Sequence, residues 1–420
     1  MEKYIVHGGK RLEGSVRIGG AKNSILPVLA AVLLNKSDDE IVLKNVPYIS
    51  DVIKMVEILR SLGVNVTWSG KNLTIYSRGV NNYSVNEVLM REMRSTIFLM
   101  GALLTRFGQV CISYPGGCAI GQRPIDLHLK GLTALGAQIR EQHGYIYASS
   151  PRLTGGNIHL DYPSVGATEN VMLASICARG ITMIYNAAKE PEIVDLQNIL
   201  NKMGGRVRGA GTDQIRIDGV SQLHGVEYTV IPDRVVAGTI LMAAAATGGD
   251  VQLENVIPGH LEAVIAKLRE AGVQIRAEND RLHILAPERL RAVEFVRTLP
   301  YPGFPTDLQA PMMALLCKAR GTSMIIENVF DSRFKHVGEL LRMGANIQVA
   351  TDARTAVVKG VAQLTGAAVT APDLRAGAAL VIAGLSAEGK TTVDGLNHID
   401  RGYENLDGYI SQLGGNIERI

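Results

Sequence analysis

The chain has 420 residues, 46% of them hydrophobic and 20% charged, which suits a soluble globular protein of two or three conventional domains. A formal net charge of +3 is too small to indicate a nucleic acid or a membrane surface as the partner. No apolar run approaches the roughly 18 residues that cross a bilayer, and residues 1–8 contain no apolar signal region. We therefore expect a cytoplasmic protein.

The cysteines and histidines give no sign of a metal site. Cys111, Cys118, Cys177 and Cys317 form no CxxC pair, and the nine histidines form no HxxxH or His/Cys cluster. Three of the four cysteines lie in apolar segments, where a buried free thiol is the simplest interpretation, as expected in a reducing compartment. We expect neither a metal nor another cofactor.

The first segment that carries chemistry is Gly19-Gly20-Ala21-Lys22. It lacks the GxxxxGK[ST] spacing of a P-loop, and no dinucleotide fingerprint follows the first predicted strand. An apolar helix is predicted directly after it, over residues 23–34, and similar alanine-rich and glycine-rich runs occur at residues 237–247 and 376–384. Helices that are apolar nearly all round are buried among close neighbours, so we interpret these as inner helices.

A glycine-centred string recurs six times and divides the chain into units of about 70 residues. The glycines are Gly63, Gly136, Gly204, Gly272, Gly344 and Gly414, separated by 73, 68, 68, 72 and 70 residues. Each glycine ends an amphipathic run and precedes a short β-type run, which predicts an outer helix with a glycine C-cap that leads into a strand. We expect the chain's end at Ile420 to close the sixth unit.

The order within a unit is therefore strand, inner helix, strand, outer helix and two strands. Six such units, each too short to fold alone, predict an α/β protein of two pseudo-threefold domains. Each domain has three βαβαββ units, with apolar helices inside and sheets outside, as in an inside-out α/β barrel.

Charged and polar residues stand at the start of every predicted inner helix. They are Lys22 with Asn23, Arg91 with Arg94, Ser164 to Gly166, Asp233 with Arg234, Thr306 with Asp307, and Asp373 with Arg375. One interpretation makes them simple N-caps. The other makes the helix starts a binding site for a polyanion, because free amides and a partial positive charge lie there and lysine and arginine are poor caps.

The loops that lead into the outer helices are the other chemically dense positions. Residues 114–126 contain three glycines and two prolines, and they present Cys118 five residues before Arg123. A mobile, accessible thiol beside an anion-binding guanidinium is one interpretation, and an ordinary glycine turn is the other. Glu190 and Glu192 form either a carboxylate pair or the start of an outer helix.

These motifs resemble the UDP-N-acetylglucosamine 1-carboxyvinyltransferase family, the enolpyruvyl transferases that open bacterial peptidoglycan synthesis. The resemblance covers essentially the whole chain. It rests on residues 20–23, 115–124, 186–192, 232–234, 304–307, 373–375 and 398–403. It implies a first domain over residues 22–230, a second over residues 1–21 and 231–420, and an active site in the cleft between them.

In that family the enolpyruvyl group of phosphoenolpyruvate passes to the 3-hydroxyl of UDP-N-acetylglucosamine, and phosphate leaves through a tetrahedral ketal intermediate. By resemblance, Cys118 is the general acid and carries a phospholactoyl or pyruvate adduct, and Asp307 is the base for the hydroxyl. The phosphoryl group is assigned to Lys22, Arg123 and Arg401. The carboxylate and the developing ketal are assigned to Arg333 and Arg375.

The remaining substrate contacts are also implied only by the resemblance. Asn23 and Arg94 face the amino sugar and diphosphate. The uridine and diphosphate contacts are Arg123, Pro124, Ile125, Asp126 and Leu127 with Ser164, Val165 and Gly166. Val329 and Asp373 complete the substrate-binding set.

Two other functions stay open at this point. The enolpyruvyl transferase of the shikimate pathway shares the six-unit architecture and phosphoenolpyruvate, although it is not expected to use the cysteine loop. A catalytically idle UDP-sugar sensor is the other alternative, against which Lys22, Cys118, Asp307 and Arg401 all argue. Phosphate release with both substrates separates these possibilities.

The first prediction concerns Cys118. Positive charge from Lys22, Arg123 and Arg401 favours its thiolate, so a phosphonate-bearing epoxide such as fosfomycin should alkylate Cys118 before the other three cysteines. UDP-N-acetylglucosamine should accelerate the reaction. Cys118→Ser should lose labelling and most activity, whereas Cys118→Asp should resist labelling and keep turnover, because a carboxylic acid also donates a proton. Mass spectrometry that finds another cysteine modified first would contradict this account.

Overall fold

A computed structural model describes residues 2–85, 87–114, 116 and 125–420. The predictions for Cys118, Arg123 and Pro124 therefore fall on residues outside the described ranges. None of the helices in those ranges has the length and apolar character that crossing a membrane requires.

The described residues form fourteen α-helices. They are α1 (Lys22–Ala31), α2 (Ser50–Ser61), α3 (Glu87–Glu92), α4 (Phe98–Phe107), α5 (Asp126–Ala134), α6 (Val165–Ser175), α7 (Pro191–Lys202), α8 (Arg234–Ala246), α9 (Glu262–Glu270), α10 (Gln309–Leu316), α11 (Val337–Arg342), α12 (Leu374–Ser386), α13 (Leu396–Ile399) and α14 (Leu406–Gln412). Short 3₁₀ helices, Arg94–Ile97 and Thr306–Leu308, precede α4 and α10 directly.

The same residues form 23 strands. They are β1 (Tyr4–His7), β2 (Glu13–Arg17), β3 (Ile41–Lys44), β4 (Asn65–Ser69), β5 (Asn72–Tyr76), β6 (Gln109–Ser113), β7 (Gln138–Gln142), β8 (Tyr145–Ser149), β9 (Asn157–His159), β10 (Ile181–Tyr185), β11 (Val207–Arg208), β12 (Gln214–Asp218), β13 (Glu227–Thr229), β14 (Asp250–Glu254), β15 (Gln274–Glu278), β16 (Arg281–Leu285), β17 (Phe295–Arg297), β18 (Thr322–Ile326), β19 (Asn346–Val349), β20 (Thr355–Lys359), β21 (Ala368–Thr370), β22 (Lys390–Asp394) and β23 (Asn416–Arg419).

The described chain divides into two compact units. We call the described residues between 20 and 231 the first unit, and residues 2–19 together with 232–420 the second. The backbone passes from one to the other at residues 19–20 and again at 231–232. Each unit has its own hydrophobic core.

Three inner helices form the centre of each core. In the first unit α1, α4 and α6 contact one another pairwise, and in the second α8, α10 and α12 do the same. Every residue of α10 and α12 is buried, and only Arg234 and Ala246 of α8 are not. The apolar runs in the sequence are therefore explained by burial on all sides.

The outer helices are amphipathic and end as the repeat predicts. They are α2, α5, α7, α9, α11 and α14, and each is followed by one of the six repeat glycines. Those glycines have φ angles between 79° and 97°, in the left-handed region where a side chain is strained. The glycine therefore ends each outer helix and turns the chain into the next strand, which confirms the six-unit prediction.

Among the described residues, six separate sheets, five of four strands and one of three, complete the units. In β13-β3-β5-β4, for example, β3 pairs in parallel with β13 and antiparallel with β5. The first strands of two units are exchanged along the chain. β2 precedes α1 yet pairs with β14 of the second unit, while β13 precedes α8 yet pairs with β3 of the first.

The sixth sheet corrects one expectation about the chain's end. Its order is β21-β22-β1-β23, so the position that β5 or β20 fills in other sheets belongs to the N-terminal strand β1. Tyr4 to His7 lie between β22 and β23, antiparallel to both. Ile420 therefore does not close the sixth unit by itself, because the third strand of that sheet, β1, comes from the chain's beginning.

The close packing of inner helices predicts a sensitive position at Gly101 in α4. Its amide donates to Asn170 Oδ1 at 2.7 Å, and a Cβ atom there would overlap the carbonyl oxygen of Asn170 in α6. Gly101→Ala should therefore destabilise the protein by about 1 to 3 kcal/mol. Gly338→Ala is the control, because Gly338 is also helical and has no atom within 4 Å of the added methyl group.

Urea unfolding of the two variants measures the difference. We expect Gly338→Ala to match or exceed the wild-type midpoint, since alanine is the better helix former. Equal midpoints for the two variants would show that α4 and α6 can separate without cost.

Candidate active site

A carboxylate is held between two buried guanidinium groups in the second unit. Arg333 Nη2 donates to Asp307 Oδ1 at 2.6 Å, and Arg375 donates to Asp307 Oδ2 from Nη2 at 2.9 Å and from Nε at 3.2 Å. The arginine side chains are 4% exposed, whereas that of Asp307 is 26% exposed. The carboxylate is thus the solvent-accessible member of the group.

Local structure fixes each of these three side chains. Asp307 lies in the 3₁₀ turn before α10, and Arg333 also donates to the carbonyl oxygen of Thr306 at 3.3 Å. Arg375 is in the first turn of α12, and its guanidinium lies 5.4 Å from the centre of the Tyr403 ring. Burial is the largest single influence and alone would lower the pKa of Arg375, but Asp307, together with Tyr403 and Asp233, outweighs it and the pKa is raised.

Other predicted residues of the second unit lie near these elements. Asp373 caps α12, because its Oδ1 accepts from the amides of Arg375 and Ala376 at 2.9 and 3.0 Å. Val329 is half-buried, and its main-chain amide donates to Glu327. Arg401 is half-buried in the turn after α13.

Lys22 is the central predicted residue of the first unit. It is the first residue of α1, only 8% exposed, and its Nζ lies 2.7 Å from Oδ2 of Asp51, a carboxylate at the start of α2. Asn23 follows it in the same helix turn. A lysine buried against a carboxylate is held in one position, which a flexible surface lysine is not.

The remaining predicted residues of the first unit also lie at helix starts. Arg94 opens the 3₁₀ helix before α4, and Ser164 caps α6, where its Oγ accepts from the Ala167 amide at 3.3 Å. Val165 and Gly166 are the first residues of α6, and a Cβ on Gly166 would lie 3.1 Å from the His128 ring. Ile125 is buried and precedes α5, while Asp126 and Leu127 open that helix.

These placements separate the two interpretations of the helix starts. Ser164, Asp233 and Asp373 are true caps whose side chains accept from main-chain amides. Lys22 and Asp307 instead form ion pairs with other elements. Capping therefore explains three of the six inner-helix starts. For the helix starts that carry lysine or arginine, we retain the interpretation that they bind a polyanion.

Nothing in the amino-acid sequence singles out Glu327, which directly follows β18. Its side chain is completely buried and accepts from Thr306 Oγ1, next to Asp307. A glutamate at a strand end is normally exposed, and only the three-dimensional structure identifies this one as a neighbour of the site.

The cysteines in the described ranges differ in burial. Cys317 is completely buried, and burial raises the pKa of its thiol to about 12. Cys111 and Cys177 are half-buried, and burial also raises the pKa of Cys177. The prediction of buried thiols is thus confirmed for Cys317 only, and the thiolate form of Cys317 and Cys177 is disfavoured.

Glu190 and Glu192 mark the start of an outer helix, as one of the two interpretations held. Glu190 is the N-cap residue of α7 and Pro191 its first residue. Both glutamates are nonetheless buried, at 9% and 3% exposure, and they lie close enough to Glu169 of α6 to influence its charge. Burial first, and then the charges of Glu192 and Glu190, raise the pKa of Glu169 well above its ordinary value.

This shift predicts how stability depends on pH. Below the unfolded-state pKa of 4.5 both states hold the proton of Glu169, and the neutral side chain costs little to bury. As pH rises, the unfolded chain releases the proton first, so the folded state loses stability until its own, higher pKa is passed. Glu169→Gln removes this loss and should gain up to about 1.4 kcal/mol per pH unit over the wild type within that window.

Urea unfolding at a series of pH values from 4 upwards checks this. Glu227→Gln is the control, because the side chain of Glu227 is 63% exposed in the same unit. A stability difference between Glu169→Gln and the wild type that does not change with pH would contradict the burial of a neutral carboxyl group.

Comparison with solved structures defines the class of protein first. The chain superimposes on the enolpyruvyl transferase NikO from Streptomyces tendae with a TM-score of 0.88 and 25% identity, covering 100% of this chain and 98% of that one. An EPSP synthase structure from Acinetobacter baumannii matches with a TM-score of 0.74 at 19% identity, covering 100% and 99%. The fold is that of the enolpyruvyl transferases, which confirms the predicted fold class.

Sequence comparisons narrow the class. The family model described as EPSP synthase (3-phosphoshikimate 1-carboxyvinyltransferase) matches residues 6–409. UDP-N-acetylglucosamine 1-carboxyvinyltransferase 1 of Symbiobacterium thermophilum is 57% identical, over 100% of this chain and 95% of that protein. UDP-N-acetylglucosamine 1-carboxyvinyltransferase 2 of Caldanaerobacter subterraneus subsp. tengcongensis is 54% identical, over 100% of both. The chain belongs to the EPSP synthase family and, within it, to the UDP-N-acetylglucosamine 1-carboxyvinyltransferases, which confirms the resemblance.

Proposed function

We propose that this chain transfers the enolpyruvyl group of phosphoenolpyruvate to the 3-hydroxyl of UDP-N-acetylglucosamine and releases phosphate, the first committed step of peptidoglycan synthesis in the cytoplasm. The choice of acceptor is supported by 57% identity over the full chain to a relative named UDP-N-acetylglucosamine 1-carboxyvinyltransferase 1. The observation that carries the chemistry is the pair of buried guanidinium groups, Arg333 and Arg375, around the accessible carboxylate of Asp307.

The reaction needs a proton for the methylene carbon, a base for the sugar hydroxyl and positive charge for the carboxylate and phosphate. We assign the proton to Cys118 and the base to Asp307. As the sugar oxygen bonds to C2 of phosphoenolpyruvate, its proton passes to Asp307 and C3 gains a proton, which gives the tetrahedral ketal. Loss of phosphate and of a C3 proton then regenerates the double bond in the product.

Asp307 acts as a base only if its ion pairs are weakened. A carboxylate whose two oxygens both accept from guanidinium groups has a low affinity for a proton. Arg333 and Arg375 are also the residues that we assign to the substrate carboxylate and the ketal. When these anions share the two guanidinium groups, less positive charge stabilises ionised Asp307, and its affinity for the hydroxyl proton rises.

The other assignments rest on the family and on local geometry. We assign Lys22 and Arg401, with Arg123, to the phosphoryl group. Lys22 suits this role because burial against Asp51 holds its ammonium group in place. We assign the sugar nucleotide to the helix starts of the first unit, at Asn23, Arg94, residues 123–127 and residues 164–166, together with Val329 and Asp373.

The family model's description makes 3-phosphoshikimate the second candidate acceptor. Phosphate release from phosphoenolpyruvate, measured with each acceptor separately, distinguishes the two. We expect release with UDP-N-acetylglucosamine and none with 3-phosphoshikimate. Binding of UDP-N-acetylglucosamine without phosphate release would instead identify a sensor and overturn the proposal.

A substitution series at Asp307 tests its role as the base. Asp307→Asn keeps the shape but cannot accept a proton, so turnover should fall by about 100-fold while the affinity for the UDP-sugar stays within a few-fold. Asp307→Ala should lose at least as much, because it also leaves two buried arginines without their carboxylate. Asp250→Ala, at an exposed aspartate of the same unit, is the control and should be active.

Steady-state kinetics and equilibrium binding of the UDP-sugar give the two quantities. Equal losses of binding and turnover would make Asp307 a residue that positions the substrate. Near-normal turnover of Asp307→Asn would remove it from the mechanism.

A further inference from the structure

Glu327 is a completely buried carboxylate, and both of its oxygens accept hydrogen bonds from other parts of the second unit. Its Oε1 accepts from Thr298 Oγ1 and from the amides of Val329 and Phe330, at 2.9, 2.9 and 3.1 Å. Thr306 Oγ1 lies 3.1 Å from Oε1 and 3.0 Å from Oε2. A buried glutamate is stable only with such partners, so this arrangement is specific.

The repeats show that Glu327 is an additional residue. In three of the other 70-residue repeats an asparagine directly follows the strand that corresponds to β18. These strands are β3, β10 and β14, and the asparagines are Asn45, Asn186 and Asn255. The Nδ2 of each donates to the first carbonyl group after the parallel neighbouring strand, in Val230, Leu160 and Ile18 respectively. Asn328 makes the same bond to Thr298, but it stands two residues after β18 instead of one. Glu327 occupies the extra position.

The two segments joined by Glu327 are the ones that carry the ion pair. Thr306 precedes Asp307 in the 3₁₀ turn, and its carbonyl oxygen accepts from Arg333. Val329 and Phe330 begin the segment that leads to Arg333, whose guanidinium lies 5.5 Å from the centre of the Phe330 ring. These contacts form a continuous ring. Glu327 bonds to Thr306, whose neighbour Asp307 bonds to Arg333, and Arg333 contacts Phe330, whose amide bonds to Glu327.

We propose that Glu327 is a positioning residue of this site: its carboxylate fixes the Thr306–Asp307 turn against residues 329–333, so that Asp307 and Arg333 meet at their observed distance. The proposal rests on the proposed function in one respect, which is the role of Asp307 as the base. Glu327 acts through Asp307 and Arg333. Comparison with the repeats that contain Asn45, Asn186 and Asn255 shows that Glu327 is an extra residue in the repeat that contains Asp307 and Arg333.

Three substitutions at position 327 remove the bonds of Glu327 to increasing extents. Glu327→Gln keeps the length, one acceptor for the two amides, and an amide group that can donate to a rotated Thr306 hydroxyl. Glu327→Asp keeps the charge but is one methylene shorter, so it cannot reach both segments at once. Glu327→Ala removes every bond and leaves the donors unpaired.

Turnover should follow that order. We expect Glu327→Gln to stay within about 5-fold of the wild type, Glu327→Asp to lose about 10-fold and Glu327→Ala about 100-fold, because a misplacement near 1 Å costs that much. The KM for UDP-N-acetylglucosamine should change by no more than a few-fold. Asn255→Ala is the control. It removes the bond from Asn255 to the carbonyl oxygen of Ile18, at the end of a strand in another repeat of the same core, and should keep full turnover per folded molecule.

A double-mutant cycle separates positioning from general destabilisation. If Glu327 acts through Asp307, adding Glu327→Asp to Asp307→Asn should cause little further loss of turnover. Losses that multiply would overturn the proposal, as would wild-type turnover in Glu327→Asp or a loss in Asn255→Ala as large as that in Glu327→Asp.

Hydrogen exchange provides a readout that does not depend on activity. In Glu327→Asp the amides of Val329 and Phe330 and those of residues 306–309 should exchange at least about 10-fold faster than in the wild type, while amides after β14 should not change. Unchanged exchange in both segments would overturn the proposal even if Glu327→Ala fails to fold. A wild-type protein that releases no phosphate would disprove the proposed function alone, because the exchange comparison would still decide whether Glu327 fixes the two segments.

Discussion

Burial of three apolar helices constrains each unit more than any other feature. Helices such as α10 and α12 have no polar face, so they are stable only when other helices and sheets cover them on every side. The amphipathic outer helices and the sheets provide that cover. The starts of the inner helices are then the places where buried main-chain amides and charged side chains meet, which is why we propose the binding and catalytic residues there.

Much of this architecture could be predicted because its signals are local. A glycine that ends a helix and an apolar run that must be buried can each be recognised within about a dozen residues. Strand exchange is different in kind. Nothing within β2 indicates that it pairs with β14, and nothing within β13 indicates that it pairs with β3. Likewise, nothing within β1 indicates that it completes the sixth sheet. These pairings join residues hundreds of positions apart.

The site shows the same division. Residue type suggested that Lys22 and Asp307 are more than caps, and their ion pairs agree with that interpretation. Residue type could not show that Asp373 and Asp233 are caps, since the same side chains serve either purpose. Glu327 could not be found at all from its own sequence, because its significance depends on a one-residue offset between repeats that only the hydrogen bonds of Asn328 and Asn255 reveal.

Accessibility separates Asp307 from the residues that surround it. The arginines and Glu327 are almost or completely buried, and Asp307 alone among the four presents a quarter of its side chain to solvent. A buried charge is fixed by its partners and cannot rearrange without leaving one of them unpaired. Moving Arg333 or Glu327 is therefore unfavourable, which preserves the geometry of the Asp307–Arg333 ion pair. The exposed edge of Asp307 remains accessible to a proton. In the function that we propose, the buried residues hold the geometry and the accessible carboxylate takes the proton, so stability and reactivity belong to different residues of one ionic cluster.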